Sequence, residues 1–282
     1  MIENNICIVG LGLMGGSYAM ALTKAGKQVT AIDKNSESIT YAEQSGIIKC
    51  GKTEDYERLL NEADAVVFAL YPHAFIDFVR DNQKYFKSGV IITDVTGVKS
   101  NVVQPIQSLL REDAEFIPCH PMAGREVSGV EFADDSIFKG ANFIITPTEK
   151  NTARGLDFAY NLAHLLGVHH ISELSVEQHD KMIGYVSQLT HAIAVSLMNA
   201  SDNTHLAEYT GDSFRDLTRI ARINEVMWSE LFLMNKDILC EEIDSFCGAM
   251  QELKHCLANS DEEGLKKLFV TSTKRRGEFN KR

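Results

Sequence analysis

One histidine of this 282-residue chain stands where a proton acceptor would be useful. His120 lies in the stretch CHPMAGREVSG, directly after a short apolar run at Phe116 to Pro118, and Pro121 and Gly124 fix the turn beyond it. Loops that follow the carboxyl ends of parallel strands line the crevice in which such folds bind ligands. A neutral imidazole there can take the proton of an alcohol while its carbon gives up a hydride, which makes His120 a candidate general base. A hydrogen-bonded structural histidine is the plainer reading, and residue types alone leave both open.

A hydride needs an acceptor, and the stretch Ile6 to Ser17, ICIVGLGLMGGS, is built to hold one. Four apolar residues run into Gly10, Gly12 and Gly15, and the apolar spacing then becomes helical at Met14, Tyr18, Ala21 and Leu22, as in a buried strand turning into a helix. Gly10 permits the tight turn, Gly12 lets the backbone approach a pyrophosphate, and Gly15 lets the helix pack closely on the strand. Gly10, Leu11, Gly12, Leu13, Met14 and Gly15 thus form the expected cradle, with the anion on free N–H groups at the positive helix end. Asp33 ends the second expected strand, 18 residues after Gly15. Its carboxylate suits the ribose hydroxyls of NAD and repels the 2′-phosphate of NADP, although Lys34 beside it softens that rejection. The alternative role for Asp33 is to cap a helix beginning near Ser36.

Positioning these groups requires an alternating α/β architecture. Expected strands cover residues 28–32, 65–70, 90–95, 115–118 and 142–146, with a short one near Ile47 and Ile48. Helical patterns occupy residues 54–61, the segment after Pro72, and 99–110. This alternation predicts a Rossmann-like, doubly wound parallel sheet over residues 1–171, the dinucleotide-binding domain. From 172 to 282 the pattern is helical throughout, with a long helix over 176–200 and others over 214–221, 225–256 and 261–276. About 110 residues of helix cannot bury every apolar stripe, so this second domain is expected to bind substrate and to form a homodimer.

Composition narrows the partners. The formal net charge of −11 argues against nucleic acid, since phosphate binding needs a basic face. The one concentrated basic run, Lys274, Arg275, Arg276, Lys281 and Arg282, reads as a solvated helix end. No apolar run reaches 18 residues and no leader pattern opens the chain, so a cytoplasmic protein without membrane contact is expected. The six cysteines form no C-x-x-C pair and read as reduced thiols, with no metal site. The helical pattern runs almost to the last residue, so no appended regulatory module is expected.

Taken together, several stretches resemble the prephenate dehydrogenase family. They are GLGLMGGS, DVTGVKS at Asp94 to Ser100, HPMAGRE at His120 to Glu126, SGVEFADDSIFKGANFIITP, HDK at His179 to Lys181, and FRDLTRIA at Phe214 to Ala221. They span both expected domains, and HPMAG followed by D-x-TRIA discriminates far better than the glycine pattern. The resemblance implies oxidation of prephenate by NAD with loss of carbon dioxide, giving 4-hydroxyphenylpyruvate on the route to tyrosine. It assigns His120 as the base and Arg219 as the guanidinium that binds a substrate carboxylate. It also brings His191 to the substrate, with Ser187 four residues earlier on the same helical face. Glu126 and Asp216 match acidic residues that form a polar network with the binding arginine at the mouth of the site.

The same comparison exposes departures. Gly97 stands where some relatives carry a serine that holds both the substrate oxygen and the catalytic histidine, so Thr96 or a water is expected to take over that contact. Arg125 stands where relatives often have a small polar residue, and either adds a positive group for the substrate or faces solvent. His179 and Asp180 read as a capping arrangement at the start of the long helix, and Trp228 as packing. Rival readings are an arogenate or dual-specificity cyclohexadienyl dehydrogenase, a β-hydroxyacid dehydrogenase, disfavoured because its glycine-rich lysine segment is missing, and a catalytically silent NAD-binding sensor.

Overall fold

The computed structural model describes residues 3–280, so Lys281 and Arg282 of the basic run lie outside the described residues. Six strands form the first sheet: β1 (Asn5–Val9), β2 (Gln28–Ile32), β3 (Cys50–Lys52), β4 (Ala65–Phe68), β5 (Ile91–Asp94) and β6 (Glu115–Phe116). All pair in parallel, in the order β3-β2-β1-β4-β5-β6, the doubly wound order in which the chain reverses direction between β1 and β4. The helices between them are α1 (Leu13–Lys24), α2 (Ser36–Gln44), α3 (Glu57–Glu62), α4 (Pro72–Asn82) and α5 (Ser100–Leu109). Side chains alternate across the sheet. Ile6 and Ile8 join Tyr18, Leu22 and Phe158 on one face, whereas Cys7 and Val9 join Phe68, Phe75 and Val102 on the other. Burial on both faces is why these strands read as continuous apolar runs.

The segment after β6 departs from the expected single sheet. Pro118 has no N–H to give the ladder, and the chain leaves the first sheet there. A second sheet then forms from β7 (Cys119–Pro121), β8 (Asn142–Ile145) and β9 (His170–Glu173), with β7 antiparallel and β9 parallel to β8. His120 is therefore the middle residue of a strand, opposite Ile144, and not part of a loop at the end of the strand before it. Helix α6 (Ala153–Leu166) joins β8 to β9. Ile47 and Ile48, expected in a strand, are instead buried just ahead of β3, packed in the core that includes Ile39 of α2.

The long helix over 176–199 is continuous but not uniform: α7 (Val176–Ile183) passes through a π-helical turn at Gly184–Leu189 into α8 (Thr190–Asn199). After α9 (Leu206–Tyr209) and α10 (Asp212–Thr218) come α11 (Glu225–Met234), α12 (Lys236–Ala258) and α13 (Glu262–Gly277). The single helix expected over 225–256 breaks at Asn235. That buried amide donates to the Asp180 carbonyl at 3.0 Å and to Gln188 Oε1 at 2.7 Å, bonds that hold it out of the helical path. The chain forms two compact units, one ending at Asn235 and one beginning at Lys236. Within the second, α13 packs on α12 and carries Lys274, Arg275 and Arg276 in its exposed last turn. Among the described residues, no helix is long and apolar enough to cross a membrane.

Candidate active site

The glycine turn has the geometry its residues demand. Gly10 has φ +97°, and a Cβ there would meet the Ala69 carbonyl oxygen at 2.5 Å. A Cβ on Gly15 would lie 1.8 Å from the Gly10 carbonyl oxygen, so only glycine lets α1 pack this closely against the strand end. Gly12, the N-cap of α1, is different: a Cβ there meets nothing within 4 Å, which leaves open space over the turn. No side chain caps α1 and no acidic residue lies in its first turn. Its first amides, from Leu13 and Met14 onward, therefore present unopposed positive character to that space, a donor set suited to a pyrophosphate. Leu11 serves the cradle differently from expectation: it is buried, and its N–H donates to Asp33 Oδ2 at 2.5 Å. The cap of α2 is Asn35, which accepts from the Glu37 amide at 2.9 Å. Asp33 is thereby left at the glycine turn, half-buried, and is not the helix cap.

Beneath His120 lies a buried ion pair. Lys99, fully buried, donates from Nζ to Asp94 Oδ2 at 2.6 Å, to Thr96 Oγ1 at 3.2 Å and to the Cys119 carbonyl at 2.7 Å. Asp94 Oδ1 accepts from the Cys119 amide at 3.1 Å. Both backbone polar groups of the residue preceding His120 are thus clamped by one salt bridge. Thr96 belongs to this clamp and does not replace the family serine. The residue is 4% exposed, and its hydroxyl lies between the Asp94 carboxylate and the Val98 carbonyl. Gly97 leaves room for a side chain, since a Cβ there would sit 3.6 Å from Leu231 and 3.9 Å from His120 Cε1.

His120 is half-buried and its Nδ1 lies 2.9 Å from Nε2 of His179. His179 Nδ1 in turn lies 2.7 Å from Asp180 Oδ1, and both of these side chains are buried. They do not cap α7. That is done by Ser175, whose Oγ accepts from the Gln178 amide while Gln178 Oε1 accepts from the Ser175 amide, a complete capping box. Asp180 instead accepts from the amides of Lys99 at 2.8 Å and Ser100 at 2.7 Å, at the start of α5. Burial, with the neighbouring His179 and Lys99 acting in the same sense, holds the His120 imidazole well below the ordinary histidine pKa. Burial also lowers His179, against the pull of its bond to Asp180. For Asp180 burial works upward, but the hydrogen bonds from His179 and Ser100 outweigh it and the carboxyl lies below its usual range.

The segment after His120 joins the remaining parts. Ala133 packs where a Cβ on Gly16 would lie 2.8 Å away, and the Asp134 amide donates to Ser17 Oγ at 3.0 Å, so this segment rests on the first turns of α1. Glu126 within it forms an ion pair with Arg219, which stands in the tight turn after α10. Arg125 is spent on Asp134, 2.7 Å away, rather than directed at a substrate. Asp216 is exposed on α10, and among the described residues no hydrogen bond or ion pair joins it to Arg219 or Glu126, in contrast to the expected network. His191, on α8, donates from Nδ1 to the Ser187 carbonyl at 2.9 Å and stacks on Trp228 with centroids 3.7 Å apart. Burial lowers its pKa, and the charges of Glu126 and Arg219 both reach it. Ser187 sits, half-buried, in the π-helical turn that sets this spacing. Trp228 and Leu231 share α11, which is fastened to the start of α4 by Glu230 accepting from the His73 amide at 2.6 Å.

Sequence reasoning missed the roles of His179, Asp180, Asp94 and Lys99. The only hint was that HDK and DVTGVKS carry several polar residues at positions that turn out to be buried.

Two family matches cover this chain: "Prephenate dehydrogenase, nucleotide-binding domain" over residues 18–172 and "Prephenate dehydrogenase, dimerization domain" over residues 175–271. The chain is 31% identical to the prephenate dehydrogenase of Lactococcus lactis over 281 residues, 95% of this chain and 75% of that protein. It is 28% identical to the cyclohexadienyl dehydrogenase of Zymomonas mobilis, over 98% of this chain and 96% of that one. The crystal structure of the prephenate dehydrogenase of A. aeolicus, in complex with hydroxyphenyl propionate and NAD+, superposes with a TM-score of 0.91 at 30% identity, covering 99% of each chain.

Proposed function

The chain belongs to the prephenate dehydrogenase family, and from that premise we propose that it converts prephenate to 4-hydroxyphenylpyruvate and carbon dioxide with NAD+ as oxidant. The observation that carries this reading is the single segment running from His120 through Glu126 to Asp134. It links the proton acceptor, the carboxylate-binding arginine and the glycine turn within one stretch of backbone.

Bound NAD+ supplies the hydride acceptor, and the open face over Gly12, the uncapped start of α1 and Asp33 are the groups that would hold it. His120 takes the proton of the ring hydroxyl as the hydride leaves the same carbon. Departure of the ring carboxylate as carbon dioxide leaves its electron pair in the ring, which becomes aromatic, and His120 returns the proton to the phenolic oxygen. No net proton is released. Aromatisation drives the step, so the protein's work is to position the substrate and neutralise its charge. Arg219, with 63% of its side chain exposed, offers a fork for a carboxylate, and His191 and Ser187 line the same side. His120, neutral because burial lowers its pKa, is ready to act at physiological pH.

We assign residues 1–171 to cofactor binding and 172–282 to substrate binding and homodimer formation. Six unpaired thiols suit the reducing cytoplasm in which we place the enzyme. The relative named for cyclohexadienyl substrates favours one variant reading, activity on arogenate as well. Measuring kcat/KM for both substrates with NAD+ and NADP+ tests the proposal. NADH formation with prephenate is expected, and a protein that binds NAD+ but turns over neither substrate would overturn it.

A further inference from the structure

The geometry points to His179 and Asp180 as positioning residues that fix which ring nitrogen of His120 is free to take a proton. This rests on the reading of His120 as the proton acceptor. Hydrogen-bonding capacity along the chain of contacts fixes where each hydrogen sits. Asp180 accepts two backbone N–H groups at the start of α5, where the helix end favours an anion, so its carboxylate has no proton to give. The hydrogen between Asp180 Oδ1 and His179 Nδ1, 2.7 Å apart, therefore belongs to the imidazole. A neutral imidazole carries one N–H, so His179 Nε2 holds a lone pair, and it faces His120 Nδ1 at 2.9 Å. That second hydrogen must then sit on His120 Nδ1, and the lone pair of His120 is left on Nε2, the nitrogen turned away from His179. The opposite arrangement would set the lone pair of His179 Nδ1 against a carboxylate at 2.7 Å.

The same chain stabilises the product of proton transfer. Once His120 is an imidazolium, its Nδ1–H bond to His179 strengthens and Asp180, two bonds away, supplies the compensating charge. This matters more here because Gly97, where a Cβ would sit 3.9 Å from His120 Cε1, has no hydroxyl to orient the ring. Among the described residues, His179 is the only hydrogen-bond partner of the His120 ring, and His179 is itself fully buried and bonded to Asp180.

The test uses the whole 282-residue chain and two readouts. The first is the 15N resonances of the His120 ring in the unmodified protein without substrate. A protonated Nδ1 and a bare Nε2 are expected, and a proton found on Nε2 overturns the proposal whatever the activity. The second is steady-state kinetics of His179→Leu and His179→Gln. The leucine variant is expected to lose about 10²- to 10⁴-fold in kcat, the span of a general-base contribution, with the KM for prephenate and the Kd for NAD+ within about threefold. Glutamine, whose carbonyl can accept the His120 Nδ1–H, is expected to restore kcat at least tenfold over leucine and to keep the tautomer. Equal kcat for leucine and glutamine, or a leucine variant with normal kcat, refutes the positioning role. If His120→Asn itself left kcat unchanged, the reading of His120 as base would fail, while the 15N result would still decide the tautomer.

Discussion

Replacing Lys99 by methionine tests whether the buried salt bridge beneath His120 holds the site together. Lys99 and Asp94 have no exposed side-chain surface, and the ammonium satisfies Asp94, Thr96 and the Cys119 carbonyl at once. Methionine fills similar space but donates nothing, so Asp94 is left as an uncompensated buried carboxylate. Removing one partner of a buried pair costs about 3–5 kcal/mol, because the remaining charge keeps its desolvation penalty. For a chain of this size each kcal/mol corresponds to about 2–4 °C, so a fall in Tm of about 6–20 °C is expected. Thermal unfolding followed by the fluorescence of Trp228, the one tryptophan, provides the assay. The companion Asp94→Asn/Lys99→Met variant removes both charges and is expected to be less destabilised than the sum of the single changes, by about 0.5–3 kcal/mol of coupling. A loss below about 1 kcal/mol in Lys99→Met, or strict additivity in the cycle, would refute the argument that this pair clamps the backbone before His120.

Other expectations concern the site directly. His120→Asn should lower kcat by about 10² to 10⁴ while NAD+ binding is retained; loss of cofactor binding would mark a structural histidine instead. Since the neutral imidazole is the active form and burial depresses its pKa, kcat should stay level from pH 8 down through 6.5 and fall only in more acid solution. The same sign applies to stability: His120 and His179 stay neutral when folded, so the unfolded chain binds more protons and stability declines as pH drops below about 6.5. A midpoint of activity at or above 6.5 would contradict this. Arg219→Ala should raise the KM for prephenate about tenfold, the lower end expected for a charge-assisted contact because the guanidinium is largely exposed; an unchanged KM removes it from the site. Asp33→Ala should relax the preference for NAD+ over NADP+, and steady-state selectivity that does not move would show that another residue sets it.

The order of elements, the parallel sheet and the glycine turn were legible in the sequence because each is dictated locally. A buried strand announces itself by an unbroken apolar run, a helix by three- and four-residue spacing, and Gly10 and Gly15 by a turn that admits no Cβ. Asp33 was legible for the same reason: it lies a fixed distance along one βαβ unit. Errors gathered where a neighbour remote in sequence decided the outcome. Pro118 ended the first sheet, but only pairing with β8 made His120 a strand residue. Asn235 broke a helix that its own segment favours because Asp180 and Gln188 engage its amide.

The chemistry divides along the same line. By itself the sequence determined a dinucleotide-binding fold, with a histidine just after an expected strand of its parallel alternation and an arginine in a helical region, since these follow from residue types and periodicity. Only the tertiary structure decided what surrounds that histidine. Lys99 and Ser100 lie 81 and 80 positions from Asp180, which accepts from both of their amides, and His179 meets His120 across 59. No period or local motif encodes such separations. Burial then changes the meaning of each group: a lysine that would be a solvated cation becomes a backbone clamp, and a His-Asp pair that reads as a helix cap becomes the support of the proposed base.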